Sequence, residues 1–377
     1  MSTKQAIANL KKFVRLLVKD GVNNKASYKA WIKADGNKAK MAKIFCYTEL
    51  DGMPSITSLV NAFFHPKLSL IGLNYTQTAH NTLFEFPQGW TDELRLCRGI
   101  VFDRKANLVA LPFPKFFNYG ENPETRDLPT DMAFEATNKQ DGHLGIIFQY
   151  RGRIILTSRG SFVSATSVLG NEMLAEHIQT LGPDHSWPKH HTLLVEIIHP
   201  DTQVYVDYDG QEEFILIGAY NFQTLEDVDY YGLCLLAQQF NLTATTIHQG
   251  KSLDELIAFM TDRQISNQEG YVIRFSSGLR VKIKFQTYIG YMVADKLSYT
   301  YLMNRMITGN LQRMLDTLPE EIYKIALEML GQIMLHVSVP GTPKDKWRKL
   351  YEVMPPDQAT AYFKTVCRNF VKTLINS

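Results

Sequence analysis

The residues best suited to carry out chemistry are Lys139-Gln140-Asp141-Gly142, which lie between two predicted strands, 133–137 and 144–150. A lysine on a turn between strands projects its amine toward a cleft. The amine is nucleophilic only when it is neutral, a form that nearby cations or a metal carrying a nucleotide would favour. Gly142 permits a tight turn and a close approach of the backbone to a nucleotide. Alone, Lys-x-Asp-Gly is a weak signal, and an ordinary hairpin turn is the alternative.

Two carboxylates occur beside other predicted strands. Glu196 interrupts the apolar run Leu193–Ile198, and Glu269 precedes a second such run at Gly270. Burying a carboxylate in an apolar strand costs several kcal/mol unless the carboxylate is paired or holds a metal. We therefore predict that Glu196 and Glu269 bind or orient a metal ion.

A pair of lysines follows in Lys282-Ile283-Lys284. Residues i and i+2 of a strand share a face, so both ammonium groups are predicted to point the same way. Two cations on one face suit a phosphate chain, and an edge strand protected by lysines is the alternative. A nucleophilic lysine, two carboxylates and a lysine pair together are what nucleotidyl transfer needs.

These residues require elements that hold them around one cleft. Short apolar runs between residues about 95 and 285 alternate with Gly, Asp and Asn, and helical patterns interrupt them at 166–181 and 225–240. This mixture predicts an α+β domain built on antiparallel sheets. After about 290 the apolar spacing becomes helical, in 292–316, 319–336 and 357–375, and predicts an all-α carboxy-terminal domain.

We accordingly divide the chain into residues 1–285, with the nucleotide chemistry, and a helical domain at 286–377. Residues 1 to about 95 form an amino-terminal extension whose first 45 residues are helical and rich in lysine. A basic helix of this kind can contact RNA, but a solvated helix face is an equally simple interpretation.

Composition restricts the class of protein. The net charge is only +2 over 377 residues, so any contact with nucleic acid must use a local basic patch. The four cysteines are widely spaced and match neither a zinc motif nor a redox motif, which predicts reduced thiols. No segment approaches the ~20 apolar residues of a membrane span. We expect a monomeric cytoplasmic protein that does not bind membranes.

The order of these motifs resembles that of the covalent nucleotidyltransferases, which include ATP-dependent DNA and RNA ligases and GTP-dependent mRNA capping enzymes. Lys139-x-Asp-Gly, Glu196, Glu269-Gly270 and Lys282-x-Lys284 correspond to motifs I, III, IV and V of that superfamily. Upstream, Cys97-Arg98-Gly99-Ile100-Val101-Phe102, Pro114-Lys115-Phe116-Phe117-Asn118 and Glu121-Asn122-Pro123 narrow the resemblance to the phage RNA ligase 1 family, which joins single strands in tRNA repair.

The resemblance implies roles for further residues. Arg98 and Lys115 would hold the β- and γ-phosphates of ATP, although a simple ion pair of Arg98 with Glu93 or Asp103 is the alternative. Arg159 stands where the family usually has lysine, in Ser158-Arg159-Gly160-Ser161. The nucleotide would also contact Gln140, Asp141, Gly142, Glu196, Glu269, Lys282 and Lys284. The metal would be Mg²⁺ or Mn²⁺, held by Glu196 and Glu269.

The predicted activity is ATP-dependent ligation of 5′-phosphate and 3′-hydroxyl ends of single-stranded or nicked-loop RNA. Lys139 would be the catalytic residue that carries AMP, assisted by Lys282 and Lys284, and the helical domain would select the RNA, which includes broken tRNA in this family. A capping-type guanylyltransferase and a DNA ligase are alternatives, but both usually append an OB-fold where this chain is helical. A non-catalytic RNA-binding protein with a ligase-like fold is a third.

Overall fold

The computed structural model describes residues 3–83, 86–129, 132–181, 187, 190–249, 251–261, 265–338, 340–353 and 361–376. The chain divides into two compact units, Met1–Gln286 and Thr287–Ser377. In the described part, no helix is long and apolar enough to span a membrane.

The first unit contains strands and helices in a mixed order. Its strands are β1 (Val60–Phe64), β2 (Leu70–Tyr75), β3 (Arg98–Asp103), β4 (Leu108–Ala110), β5 (Phe117–Asn118), β6 (Phe134–Lys139), β7 (His143–Tyr150), β8 (Arg153–Thr157), β9 (His191–Ile198), β10 (Glu213–Asn221), β11 (Glu226–Asp227), β12 (Thr243–Ala244), β13 (Gly270–Phe275) and β14 (Arg280–Lys284). Its helices are α1 (Thr3–Lys19), α2 (Lys25–Lys33), α3 (Asn37–Ile44), α4 (Ile56–Leu59), α5 (Gln77–Thr82), α6 (Asp92–Leu96), α7 (Pro123–Arg126), α8 (Ala165–Leu181), α9 (Tyr230–Gln239) and α10 (Leu253–Ala258).

The largest sheet has the strand order β11-β10-β9-β7-β8, and β12 pairs with β10 in parallel. Strand β9 is apolar almost throughout because both of its faces are covered. On one face, Leu174 of α8 and Leu233 of α9 pack against Val195 and Ile197, and Leu194 belongs to a different apolar cluster. A charged side chain in this strand can therefore avoid apolar surroundings only where the strand borders a cavity.

A second sheet has the order β5-β14-β13-β6 and carries the lysines of interest. Strand β13 pairs antiparallel with β6, which sets Gly270 opposite Lys139, and with β14, which sets Gly270 opposite Lys284. The register thus brings residues that are far apart in the sequence to one end of the sheet. Because β14 lies between β5 and β13, the interpretation of Lys282 and Lys284 as guards of an edge strand is wrong.

The amino-terminal region forms helices and a third sheet. In α1 the buried residues recur every three or four positions, from Ala6 and Ile7 to Leu17, so one side of this helix packs into the core. The third sheet has the antiparallel order β1-β2-β3-β4. Strands β1 and β2 were not predicted, whereas the helices within residues 1–45 are confirmed.

The second unit is helical. Its helices are α11 (Gln286–Lys296), which begins one residue earlier, α12 (Tyr299–Ile307), α13 (Leu311–Leu315), α14 (Glu320–Ser338), α15 (Pro343–Val353) and α16 (Ala361–Asn376). The α+β class with antiparallel sheets and carboxy-terminal helices is confirmed. The segment 292–316, predicted to be helical, contains the end of α11 together with α12 and α13. A new helix begins after Ser298, whose side chain accepts a hydrogen bond from the backbone N–H of Tyr301.

Candidate active site

A cavity of about 630 Å³ opens in the first unit and collects most of the predicted site residues. Its walls include nine of them: Arg98, Lys115, Lys139, Gln140, Gly142, Arg159, Glu196, Lys282 and Lys284. Glu269 reaches the same place through its ion pairs, as described below. A cavity of this size with converging charged groups is the usual form of a site for a small molecule.

Lys139 ends strand β6, and the turn to β7 places its amine at the cavity wall. The Lys139 Nζ lies 2.6 Å from Oε2 of Glu269. An ammonium group has no lone pair to offer, so Lys139 must lose a proton and move away from the Glu269 carboxylate before its amine can attack. The geometry therefore holds Lys139 in position in a resting state.

Glu269 lies between two ammonium groups. Its Oε1 is 3.1 Å from Nζ of Lys284, while Oε2 contacts Lys139, and the residue is only 4% exposed. Gly270 follows it, and a Cβ at that position would collide with the backbone of Ile283. Glycine thus allows β13 and β14 to approach closely where the carboxylate and the two lysines meet.

Lys282 and Lys284 project from the same face of β14, since the alternate residues Val281 and Ile283 are buried. Both lysines line the cavity. The prediction that the pair shares one face is confirmed.

Glu196 lies on β9 and reaches the cavity beside the turn that follows Lys139. Its Oε1 accepts a hydrogen bond of 3.1 Å from the backbone N–H of Gly142, where a Cβ would collide with the carbonyl oxygen of Ile197. Burial raises the pKa of Glu196 to about 7, and the positive charge of Lys139 opposes that rise while the negative charge of Glu269 adds to it. A bound cation would stabilise the ionised carboxylate.

The two residues that follow Lys139 in the turn point to different cavities. Gln140 lines the cavity, and its side chain donates a hydrogen bond of 3.2 Å to Oγ1 of Thr245. Asp141 lines a smaller neighbouring cavity instead, and its Oδ2 accepts hydrogen bonds of 2.8 Å from the backbone N–H groups of Tyr205 and Val206. Asp141 thus anchors the turn to residues 205–206, and contact of its side chain with a nucleotide stays a prediction.

One end of the cavity is strongly positive, where Arg98, Lys115 and Arg159 surround Tyr75. Arg159 Nη1 donates a hydrogen bond of 3.0 Å to the Tyr75 hydroxyl. Burial alone would raise the pKa of Tyr75, but the charges of Arg159, Lys115 and Arg98 outweigh it and lower that pKa to about 8. The three cations thus act together on this end of the cavity, and their combined positive charge suits a site that receives an anion.

The guanidinium group of Arg98 can donate a hydrogen bond to a ligand. Its Nη1 is enclosed and has no hydrogen-bond partner in the described part of the chain, and its guanidinium carbon lies 5.4 Å from the centre of the Phe116 ring. Within that same part, Arg98 forms no ion pair with Glu93, whose Oε1 accepts from Asn9, or with Asp103, which caps the following turn. The alternative interpretation of Arg98 as a simple ion-pair residue is wrong.

Lys115 lies against two aromatic rings and near a carboxylate. Its Nζ lies 4.6 Å from the centre of the Phe117 ring and 5.6 Å from that of Trp90, and 3.9 Å from the Glu121 carboxylate. Lys115 is only 5% exposed. The aromatic packing fixes the position of the ammonium group at the cavity wall.

Two structural features of the cavity were not predicted from the sequence. One is Tyr75, which belongs to the unpredicted strand β2. The other is a network in which Arg280 forms hydrogen bonds of 2.7 and 2.8 Å to Asp227, while Arg274 contacts both Asp227 and Glu135 at 3.1 and 2.9 Å. This network ties β13 and β14 to β11 and β6, and so fixes the strands that carry Lys139 and Lys282.

The donor groups are compatible with a divalent metal. Mg²⁺ prefers oxygen ligands and is usually bound by one or two carboxylates together with substrate phosphates. Glu196 and Glu269 supply such carboxylates near the cavity. Within the described ranges no group of three or more His, Cys, Asp and Glu side chains is placed to hold a metal by itself. Metal binding by Glu196 and Glu269 stays a prediction.

Comparison with known proteins identifies relatives. A curated protein of Thermovibrio ammonificans, whose name proposes an RNA ligase, is 30% identical over 234 residues, which are 59% of this chain and 58% of that protein. Two solved structures of the Naegleria gruberi RNA ligase, a mutant with ATP and Mn and a form with pyrophosphate, are 18% and 19% identical. Each covers 42% of this chain and 51% of the other at a TM-score of 0.33.

The matched part of the chain thus spans little more than half the length of these relatives, and the structural similarity is too low to support an argument about fold or function. The match to a family model is more extensive. The model of the phage RNA ligase 1 family, described as RNA ligase, matches residues 96–288, just over half of the 377 residues. That segment holds every residue of the predicted site, from Arg98 to Lys284. The chain belongs to the phage RNA ligase 1 family.

Proposed function

We propose that the protein is an ATP-dependent RNA ligase that joins 5′-phosphate and 3′-hydroxyl ends through lysine–AMP and RNA–adenylate intermediates. The observation that carries this proposal is the position of Lys139 on the cavity wall, between the carboxylates of Glu196 and Glu269 and within reach of the cavity's cations. The match to the RNA ligase family model over residues 96–288 and the name of the Thermovibrio ammonificans relative support the same activity.

The reaction would proceed in three steps. First, the neutral Lys139 amine attacks the α-phosphorus of ATP, so that an N–P bond forms, the bond to pyrophosphate breaks and the nitrogen loses a proton. Second, an oxygen of the RNA 5′-phosphate attacks the same phosphorus, and the lysine leaves with a proton. Third, the RNA 3′-hydroxyl attacks the activated 5′-phosphorus, loses its proton and displaces AMP. Positioning and neutralisation of charge do most of the catalysis in such transfers.

The residues of the cavity would divide this work. Glu269 holds Lys139 and Lys284 before ATP arrives, and Lys139 attacks once it has left the carboxylate and lost a proton to solvent. Lys282 and Lys284 face the phosphate that persists through all three steps, while Arg98, Lys115 and Arg159 receive the phosphates that leave. A divalent metal held by Glu196 and Glu269 would supply further positive charge at the phosphoryl oxygens.

The phosphate grip gives a prediction that separates the steps. Arg98→Ala and Lys115→Ala should slow formation of lysine–AMP by about 10²-fold, the scale for loss of one preorganised donor. They should affect sealing of pre-adenylylated RNA much less, because pyrophosphate is absent from that reaction. The two half-reactions are measured side by side, together with the melting temperature. As a control, Lys284→Ala should impair both half-reactions, and an equal loss of both in the Arg98 and Lys115 variants would contradict their assignment.

The two compact units give a second prediction. All residues of the proposed chemistry precede residue 287, where the helical unit begins. A chain that ends at about residue 290 should therefore retain lysine–AMP formation better than RNA joining, since we propose that the helical unit selects the RNA. Both activities are measured on the truncated and the full chain. If they fall by the same factor, the helical unit has no separate role in RNA selection.

Labelled nucleotides distinguish the alternatives. Label from α-labelled ATP bound to the protein supports the ligase, label from GTP indicates a capping-type enzyme, and no label indicates a non-catalytic RNA-binding protein. Substitution of nicked DNA for RNA separates an RNA ligase from a DNA ligase. Repair of broken tRNA by a monomer in the cytoplasm remains part of the proposal, and the four free cysteines agree with a reducing compartment.

A further inference from the structure

Charge is distributed unevenly along the chain. Residues 1–45 hold 11 of the 40 Lys and Arg residues but only two of the 38 Asp and Glu residues, so their net charge is +9. Because the total is +2, the remaining residues carry −7. The positive charge that a polyanion would need is therefore concentrated in the helices that precede the family-matched segment, 96–288.

The basic residues of α1 share one side of the helix. At roughly 100° per residue, Lys4, Lys11, Lys12, Arg15 and Lys19 fall within an arc of about 100°, opposite the buried face. Helix α2 repeats the pattern with Lys25, Lys29 and Lys33, which are four residues apart and exposed. In the part of the chain that the structure describes, no carboxylate forms an ion pair with any of these eight side chains.

A second cavity, of about 200 Å³, lies next to the large cavity on the side of α1. It is lined by Thr3, the first residue of α1, and it shares Lys115, Phe116 and Arg280 with the large cavity. The acidic residues on its wall are Asp92 and Glu124, and Glu124 is paired with Arg95 at 2.9 Å. The amino-terminal end of the basic face of α1 is therefore close to the proposed active site.

We propose that the basic faces of α1 and α2 form a docking surface for the phosphate backbone of the RNA substrate, away from its reacting ends. This inference rests on the proposed function. Contacts with phosphate fix position without reading sequence, and lysine and arginine side chains that have no acidic partner are suited to them.

The apolar face of α1 argues against a membrane as the partner. Ile7, Leu10, Phe13, Val14 and Leu17 are all at most 4% exposed and belong to the main core cluster. A helix that binds a lipid surface must insert its apolar face, and here that face is occupied by the protein core.

The test neutralises three exposed residues, Lys4→Gln, Arg15→Gln and Lys19→Gln, in one variant. A matched control carries the same charge change elsewhere, as Arg104→Gln, Lys105→Gln and Arg153→Gln, which are also exposed. The probe is a 5′-phosphorylated single-stranded RNA of about 20 nucleotides, and Kd is measured from about 0.05 to 1 M salt. Loss of three phosphate contacts should reduce the slope of log affinity against log salt concentration by about 2. At ~0.1 M salt this corresponds to binding that is up to about a hundredfold weaker.

The control variant should bind RNA like the wild type, and both variants should form lysine–AMP normally. Equal loss of RNA affinity in the two variants, or no loss in the α1 variant, overturns the proposal. An α1 variant that loses binding to phosphatidylserine vesicles while its RNA affinity is unchanged also overturns it. If the α1 variant unfolds, Lys25→Gln, Lys29→Gln and Lys33→Gln on α2 take its place. A wild type that forms no lysine–AMP refutes the proposed function, while the RNA affinities still decide the docking surface.

Discussion

Replacement of Lys139 by alanine abolishes the transfer of label from α-labelled ATP to the protein, because no other group stands in the position of the proposed nucleophile. Sealing of pre-adenylylated RNA should survive, since that reaction starts after the lysine has done its work. Both half-reactions are followed by gel electrophoresis. A Lys139→Ala protein that still accepts AMP at the wild-type rate contradicts the assignment.

Lys139→Arg provides the matched control. Arginine keeps a positive charge beside Glu269, which lies 2.6 Å from the lysine amine, but a guanidinium group is not a nucleophile at neutral pH. This variant should also form no protein–AMP while its melting temperature stays closer to the wild-type value than that of Lys139→Ala. The comparison separates loss of the nucleophile from loss of the ion pair.

Glu269→Gln should slow formation of lysine–AMP by about 10²- to 10³-fold, the scale for loss of a preorganised electrostatic contact. The substitution removes one negative charge with little change in volume, and it leaves the ammonium groups of Lys139 and Lys284 without the carboxylate that separates them. Glu196→Gln should have an effect of similar size, because Glu196 lies beside the same turn.

The measurement is the single-turnover rate of lysine–AMP formation at saturating metal and ATP. Glu172→Gln on α8 is the control, since Glu172 is exposed and lies outside the cavity wall. Unchanged rates in correctly folded Glu196→Gln and Glu269→Gln proteins would show that these carboxylates have only a structural role.

Part of the site was accessible from the sequence because Lys139, the two glutamates and the lysine pair each stand next to or within a short apolar strand. The roles of Arg98, Lys115 and Arg159 rest on the resemblance to the family. The pattern of Leu193–Ile198 predicts a buried strand, and a carboxylate within such a strand needs a charged partner or a metal ion. The spacing of Lys282 and Lys284 fixes a common face by the geometry of any strand. These are local signals, and the structure agrees with them.

Contacts between distant residues were not accessible in the same way. Tyr75 and Arg159 are 84 residues apart, and Arg274 and Glu135 are 139 residues apart, so only the arrangement of the sheets brings them together. Asp141 shows the same limit. Its carboxylate accepts hydrogen bonds from the backbone N–H groups of Tyr205 and Val206, which are 64 and 65 residues away, and the Lys-x-Asp-Gly motif does not reveal these contacts. The contact of Asp141 with a nucleotide stays a prediction.

The central claim is that this cavity joins RNA ends at the expense of ATP. The most direct measurement is the incubation of the wild-type protein with a 5′-phosphorylated, 3′-hydroxyl single-stranded RNA, ATP and Mg²⁺, followed by separation of linear and circular RNA. We expect circular RNA whose 5′-phosphate resists phosphatase, with one AMP released per circle formed, and neither product with Lys139→Ala. Linear RNA that stays sensitive to phosphatase, from a protein that has been shown to bind it, would contradict the proposed function.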